Sequence, residues 1–122
     1  MPRGSAKGTA REFAAALNAG DPGTAAALFA ASGRMLTGDR TEVSGRAAVR
    51  NLLAQIVESQ IKLEIRLGRT LIAGDIALST QYWRRRLPAR AKGHAYDEAS
   101  VANVVLGLRD ERWEIVIVSP WG

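Results

Sequence analysis

The side chains in this sequence that could do chemistry are a carboxylate at Asp39, hydroxyls at Thr80 and Tyr82, an amide at Asn103, and a run of cations starting at Arg84. Asp39 could serve as a general base. As part of a Gly38-Asp39 pair it also fits a turn, where Asp bonds nearby backbone. Thr80 and Tyr82 share one strand parity with Leu78. A phenol there could donate to a ligand or act as an acid, or pack with its hydroxyl at a rim. Asn103 interrupts the apolar run Val101–Leu106. A buried amide needs partners, which a ligand or a second subunit could supply. His94 and Asp97, at i and i+3, point to opposite faces of a strand and read as solvated.

Arg84, Arg85, Arg86, Arg90 and Lys92 are five cations with no acid among residues 84–92, and together they equal the formal net charge of +5. Alternation divides the arginines between two faces. Aromatic interleaving stops at Tyr82 and Trp83, and no RNA-binding motif is present. The run reads as a solvated, edge-protecting hairpin, not a nucleic-acid site. The 122 residues contain no cysteine and one histidine, so disulfides, thiol catalysis and thiolate metal sites are excluded. No metal-ligand cluster stands out, and nothing calls for a cofactor. The basic start of the chain has no apolar core behind it, and no apolar run approaches a membrane span. A soluble, cytoplasmic protein is expected, with no membrane partner.

The positioning elements begin with the last stretch, Trp113–Trp121, which is apolar at both parities. Such a strand is central in a sheet or covered by a second subunit. Trp113 and Trp121 read as core or interface. Residues 1–8 are expected to be a flexible tail, and 9–122 a single domain. Thr9 and Glu12 fit a capping box for a first helix with Phe13 and Leu17 on its apolar face, ended by Asn18-Ala19-Gly20. Asp21-Pro22 starts a second helix, anchored by Leu28 and Phe29 and ended at Ser32-Gly33. Short strands at 34–37 and 41–43 precede a third helix capped by Ser44. There Val49, Leu52, Leu53, Ile56 and Val57 recur with helical period. Alternation from Ile61 to Leu67 predicts a strand with a bulge at Gly68, continuing to Ala73. Long strands follow from Ile76 to Leu87 and, after a tip at 88–93, to Leu108. Helices grouped before a meander give an α+β fold: three N-terminal helices packed on a mainly antiparallel sheet.

Phe13-Ala-Ala-Ala-Leu-Asn-Ala-Gly-Asp21, Ala27-Leu-Phe-Ala30, Ser44-Gly-Arg-Ala-Ala-Val-Arg50 and the Trp113-x-Ile-Val ending resemble the ketosteroid isomerase and SnoaL-like polyketide cyclase group. That group belongs to the nuclear transport factor 2-like superfamily, and the resemblance runs over about residues 9–121. It implies a curved, cone-shaped, cystatin-like fold around an apolar pocket, and a homodimer through the outer sheet face. It puts the family's oxyanion-binding Tyr at Phe13, its general-base Asp at Thr37 and its hydrogen-bond-donating Asp near Asn103. Phe13 cannot donate and Thr37 is no base near neutral pH, so steroid-type isomerisation by that route is not expected. Asp39 would be a displaced base. The resemblance also turns the Thr80–Tyr82 face toward the pocket. The expected catalytic set is Asp39, Tyr82 and Asn103. The expected ligand-binding set is Phe13, Leu17, Leu53, Val57, Thr80, Tyr82, Asn103 and Val105, with no metal. The first reading is a homodimeric pocket protein for a small, uncharged apolar molecule. The alternatives are an isomerase, dehydratase or cyclase using proton transfer, and a non-catalytic interaction domain whose cone is filled by its own side chains.

Overall fold

The structure, a computed structural model, describes residues 5–37, 39, 41–59, 62–87 and 96–122, without the side chains of Leu87 and Tyr96. Its helices are α1 (Ala6–Asn18), α2 (Pro22–Ala27) and α3 (Arg46–Glu58). Its strands are β1 (Phe29–Leu36), β2 (Glu42–Ser44), β3 (Lys62–Ala73), β4 (Ile76–Leu87), β5 (Tyr96–Arg109) and β6 (Arg112–Ser119). The six strands form one curved sheet in the order β2-β1-β6-β5-β4-β3. The β1–β6 pair is parallel and the other pairs are antiparallel. The helices cover one face, giving the expected α+β cone. The tip at 88–93, with Arg90 and Lys92, and the adjacent His94 lie outside the described residues.

The apolar C-terminal stretch becomes β6, an interior strand between β1 and β5. Its parity count breaks at a bulge. Val105 faces Ile117, but the next rung pairs Leu106 with Ile115, so Val116 is the extra residue. Ile115 and Val118, which simple alternation would separate, are therefore both fully buried, while Ile117 is 40% exposed.

Four local expectations are corrected. Helix α1 starts a turn earlier than Thr9: Ser5 is its N-cap, its Oγ accepting from the Gly8 N–H at 2.9 Å. Ala6 and Ala10 extend the buried face upstream, so Ser5–Gly8 belong to the helix start and not to a tail. The Thr9 hydroxyl donates instead to the Trp113 carbonyl at 3.2 Å and ties α1 to β6. Phe29 does not anchor a helix. Helix α2 stops at Ala27, and Phe29 opens β1 opposite Ile115. Gly33, read as a helix terminator, lies at the irregular stretch of β1. A Cβ there would stand 2.8 Å from Phe29 Cδ2 and 3.1 Å from the Ile115 oxygen. Helix α3 is capped by Gly45 at φ +93, without a side-chain bond, because Ser44 is still in β2.

The core lies between the helices and the covered sheet face. Phe13, Leu17, Val49 and Leu53 meet Trp83, Val104, Leu106 and Val118 there. The Phe13 ring stands edge-on to Phe29 at 5.7 Å and tilted to Trp83 at 6.2 Å. The bulge expected at Gly68 is present, as the β3–β4 register shifts between Leu67 and Thr70. Among the described residues no helix is long and apolar enough to cross a membrane.

Candidate functional site

The register of β4 decides which side chains can meet. Tyr82 stands opposite Arg66 and Val101, Thr80 opposite Asn103, and Leu78 opposite Leu71 and Val105. Asn103 and Val105 continue to Ser119 and Ile117 on β6. Directly opposed residues share a face, and this face carries no helix: Tyr82 is 44% exposed and Val101 49%. The other parity of β4, Ala77, Ser79, Gln81, Trp83 and Arg85, turns to the helices and is buried. The expected ligand-binding set is thus divided. Phe13, Leu17 and Leu53 lie on the covered face, with Val57 near the end of α3. Thr80, Tyr82, Asn103 and Val105 lie on the open face. Tyr82 packs over Gly68, where a Cβ would approach its Cε2 to 2.8 Å, and under the Arg66 guanidinium at 5.5 Å. The inward neighbours of Asn103 are Ala102 and Val104, both apolar and fully buried.

The polar groups that do enter the covered face are on β4. Ser79 and Gln81 are fully buried. Trp83 Nε1 donates to Gln81 Oε1 at 3.0 Å. Among the described residues, Ser79 Oγ and Gln81 Nε2 have no hydrogen-bond partner. An unsatisfied buried group costs about 1–3 kcal/mol, so each calls for an explanation. Nearer the strand's end, Arg85 donates to Glu98 Oε1 at 3.1 Å and Ser100 Oγ at 2.9 Å. Its guanidinium lies 5.6 Å from the Trp83 ring and 4.3 Å from that of Trp121, whose Nε1 donates to Glu98 at 3.0 Å. This network fastens the chain's end to the β4–β5 hairpin. The sequence signal for the row was an amide and a serine alternating with tryptophan, opposite in parity to Leu78 and Tyr82.

Among the described residues, two concavities that reach the surface concern the expected site. A cleft of about 480 Å³ opens where the ends of α1 and α3 meet the start of β3, lined by Leu17, Ile56, Val57 and Leu63 with Lys62 and Glu64. It brings together two of the expected residues, Leu17 and Val57. A more open depression of about 660 Å³ includes Ile65, Arg66, Tyr82, Arg84 and Val101. Asn18 borders both concavities. Its amide accepts from the Ile65 N–H at 2.9 Å and donates to the Ile65 carbonyl at 3.3 Å, satisfying the edge of β3.

Asp39 sits in the β1–β2 turn, exposed and apart from both concavities. Its carboxylate accepts from the Thr37 hydroxyl and, at 3.2 Å, from the Thr41 N–H. These bonds, the Thr37 hydroxyl first, hold its pKa below the ordinary carboxylate value. That suits a turn and disfavours a base. The described arginines of the basic run are all paired across strands. Arg84 forks onto Asp97 at 3.0 and 2.7 Å, Arg85 meets Glu98, and Arg86 meets Glu64 at 3.8 Å. Asp97, read as solvated, has its pKa lowered chiefly by the Arg84 hydrogen bond. Among the described residues no cluster of three or more His, Asp or Glu could hold a metal ion.

Three helices on one face of a curved, mostly antiparallel sheet define a nuclear transport factor 2-like cone. Within that superfamily the chain belongs to the SnoaL-like domain family, which matches residues 10–114. No curated protein matches the chain. Similar solved structures include a ketosteroid isomerase-like protein from Erwinia carotovora atroseptica, at 14% identity and TM-score 0.79, covering 93% of this chain and 89% of that one. A candidate dehydratase of the NTF2-like family from Streptomyces avermitilis is 20% identical with TM-score 0.73, covering 92% and 91%. A candidate calcium/calmodulin-dependent protein kinase type II association domain from Thiobacillus denitrificans is 16% identical with TM-score 0.74, covering 95% and 94%. At these identities the likeness shows the fold alone, one compatible with ligand binding or with isomerase- or dehydratase-type chemistry.

Proposed function

We propose that this chain is a small-molecule-binding protein of the SnoaL-like kind, taking an uncharged, largely apolar ligand through the cleft between α1, α3 and β3. The observation that carries this is the convergence of Leu17, Ile56, Val57 and Leu63 on one concavity of about 480 Å³. Apolar walls of that size with a few polar groups are the usual design of a ligand site. Titration with Nile red, an uncharged apolar fluorophore, tests it. Blue-shifted emission at micromolar protein, lost in Val57→Gln and kept in Val101→Gln on the open face, is expected. Absence of binding, or binding that ignores Val57→Gln, refutes the reading.

Catalysis by proton transfer in the same pocket is the weaker reading. It needs a base facing the ligand, and Asp39 is bound into its own turn. Tyr82 and Asn103, the other expected catalytic residues, are on the open face, which favours contact with a partner. We assign that face to a second copy of the chain and propose a homodimer. The candidate association domain from Thiobacillus denitrificans described above shares the fold, which supports this use of the face. Cross-strand pairing of Arg84, Arg85 and Arg86 supports the absence of a nucleic-acid partner. A cytoplasmic location is proposed on the lack of cysteine, which fits a reducing compartment.

A further inference from the structure

We propose that Gln81, with Ser79 one step along the same face of β4, is the hydrogen-bonding element that orients the ligand inside the cone, and that the ligand therefore carries a carbonyl-type acceptor. This rests on the small-molecule reading above and adds to it the ligand's chemistry. The ground is the pair of fully buried polar atoms, Gln81 Nε2 and Ser79 Oγ, that have no partner among the described residues. The other buried polar group on this face of β4, Arg85, is bonded to Glu98 and Ser100. Buried amides and hydroxyls are almost always satisfied, and an apolar residue at position 81 would avoid the penalty.

The direction of the amide is determined. An indole N–H can only donate, so the group 3.0 Å from Trp83 Nε1 must be the amide oxygen. The two N–H bonds on Nε2 then point away from the indole. Trp83 is itself held against Phe13 at 6.2 Å and under Arg85 at 5.6 Å, which makes it a positioning residue for the amide. A neutral amide stays a donor at every pH, and an acceptor oxygen on an apolar body is what completes it. Along β4, Trp83 occupies the step between Gln81 and Arg85, and Arg85 stands opposite the cleft residue Leu63. A ligand bonded to Gln81 therefore lies beside the indole, whose emission reports it.

Acetophenone and ethylbenzene test this, because they share a skeleton and differ in the carbonyl. Binding to the full chain is followed by ligand-observed NMR and by tryptophan emission. Gln81→Leu should weaken acetophenone about five- to tenfold and leave ethylbenzene unchanged or tighter, as loss of one neutral hydrogen bond requires. The unliganded variant should melt somewhat below the wild type, because Trp83 Nε1 loses its acceptor. Gln81→Met, closer in shape, serves if Gln81→Leu does not fold. Unchanged acetophenone affinity in Gln81→Leu and Gln81→Met would overturn the proposal. An equal effect on both probes, the result a trapped water would give, would also overturn it. If Nile red binds at the cleft but neither probe binds at millimolar concentration, the inner site fails and the small-molecule reading survives. If none of the three binds, both fail.

Discussion

A carboxylate works as a base only where its proton affinity is raised toward the working pH, and the surroundings of Asp39 lower it instead. The sign of the linkage follows. With a folded pKa below the unfolded one, ionised Asp39 adds stability that is present above the unfolded pKa and lost as pH falls through the folded value. Asp39→Asn should therefore melt below the wild type at pH 7, with the gap closing as pH drops below the ordinary carboxylate range. Thermal unfolding across pH 2 to 7 measures this, and Nile red affinity at pH 7 should be unchanged. A catalytic or ligand-facing Asp39 would show the opposite: altered binding with little change in melting. Gly33 is a second residue whose role is steric. A methyl group there would meet the Phe29 ring at 2.8 Å and two backbone oxygens at 3.0 and 3.1 Å. Backbone cannot swing aside as a side chain can, so Gly33→Ala should destabilise by about 1–3 kcal/mol in urea unfolding. A neutral result would mean that β1 relaxes around the new group.

At the scale of elements, α3, the body of α1 and the long strands were legible because their periods are strong, whereas α2, too short to show one, ends at Ala27 and not at Ser32-Gly33. Val49, Leu52, Leu53 and Ile56 mark α3 without ambiguity, and Gly68 marks its bulge. Which face of β4 looks inward was not legible. Its bulkier apolar set, Ile76, Leu78 and Tyr82, lies on the open face, and the buried face mixes Ala77 and Trp83 with Ser79, Gln81 and Arg85. A rule that sends the more apolar parity to the core selects the wrong face whenever the second face is to be covered too. The β6 bulge added a parity change that no count of alternation reveals. The β5–β6 turn gives a prediction at this scale. Asp110 and Glu111 both have positive φ, 50 and 64, as a two-residue hairpin turn requires. Glycine adopts that conformation without the Cβ penalty. Glu111→Gly should therefore raise stability by about 0.5–1 kcal/mol, read from the denaturation midpoint at unchanged slope. A drop would place Glu111 in a contact that outweighs its backbone strain.

For the whole molecule the open sheet face is the feature that most needs a partner. Leu78, Tyr82, Val101 and Ile117 are each 37–49% exposed there, and cross-strand pairing makes them contiguous. Apolar patches of this kind on a sheet are normally covered. Thr80, Asn103 and Ser119 form a polar row between the Tyr82–Val101 pair and the Leu78–Val105–Ile117 row. A two-fold axis brings like rows together, and an amide, being both donor and acceptor, complements its own copy. That gives Asn103 a role on the face where the register places it. Stable pairing needs about 800 Å² from each partner, which a face built from the middle of three long strands can supply. Sedimentation equilibrium at about 10 µM should return twice the 13.1 kDa of one chain. Val101→Arg, which places an unpaired charge in the middle of the patch, should return a single chain with its secondary structure intact. Asn103→Leu should shift the monomer–dimer equilibrium while leaving Nile red affinity at the cleft unchanged, since the two sites lie on opposite sides of the sheet. A wild-type monomer at that concentration would remove the second copy as occupant of the face. A dimer that tolerates Val101→Arg would move the interface elsewhere on the molecule.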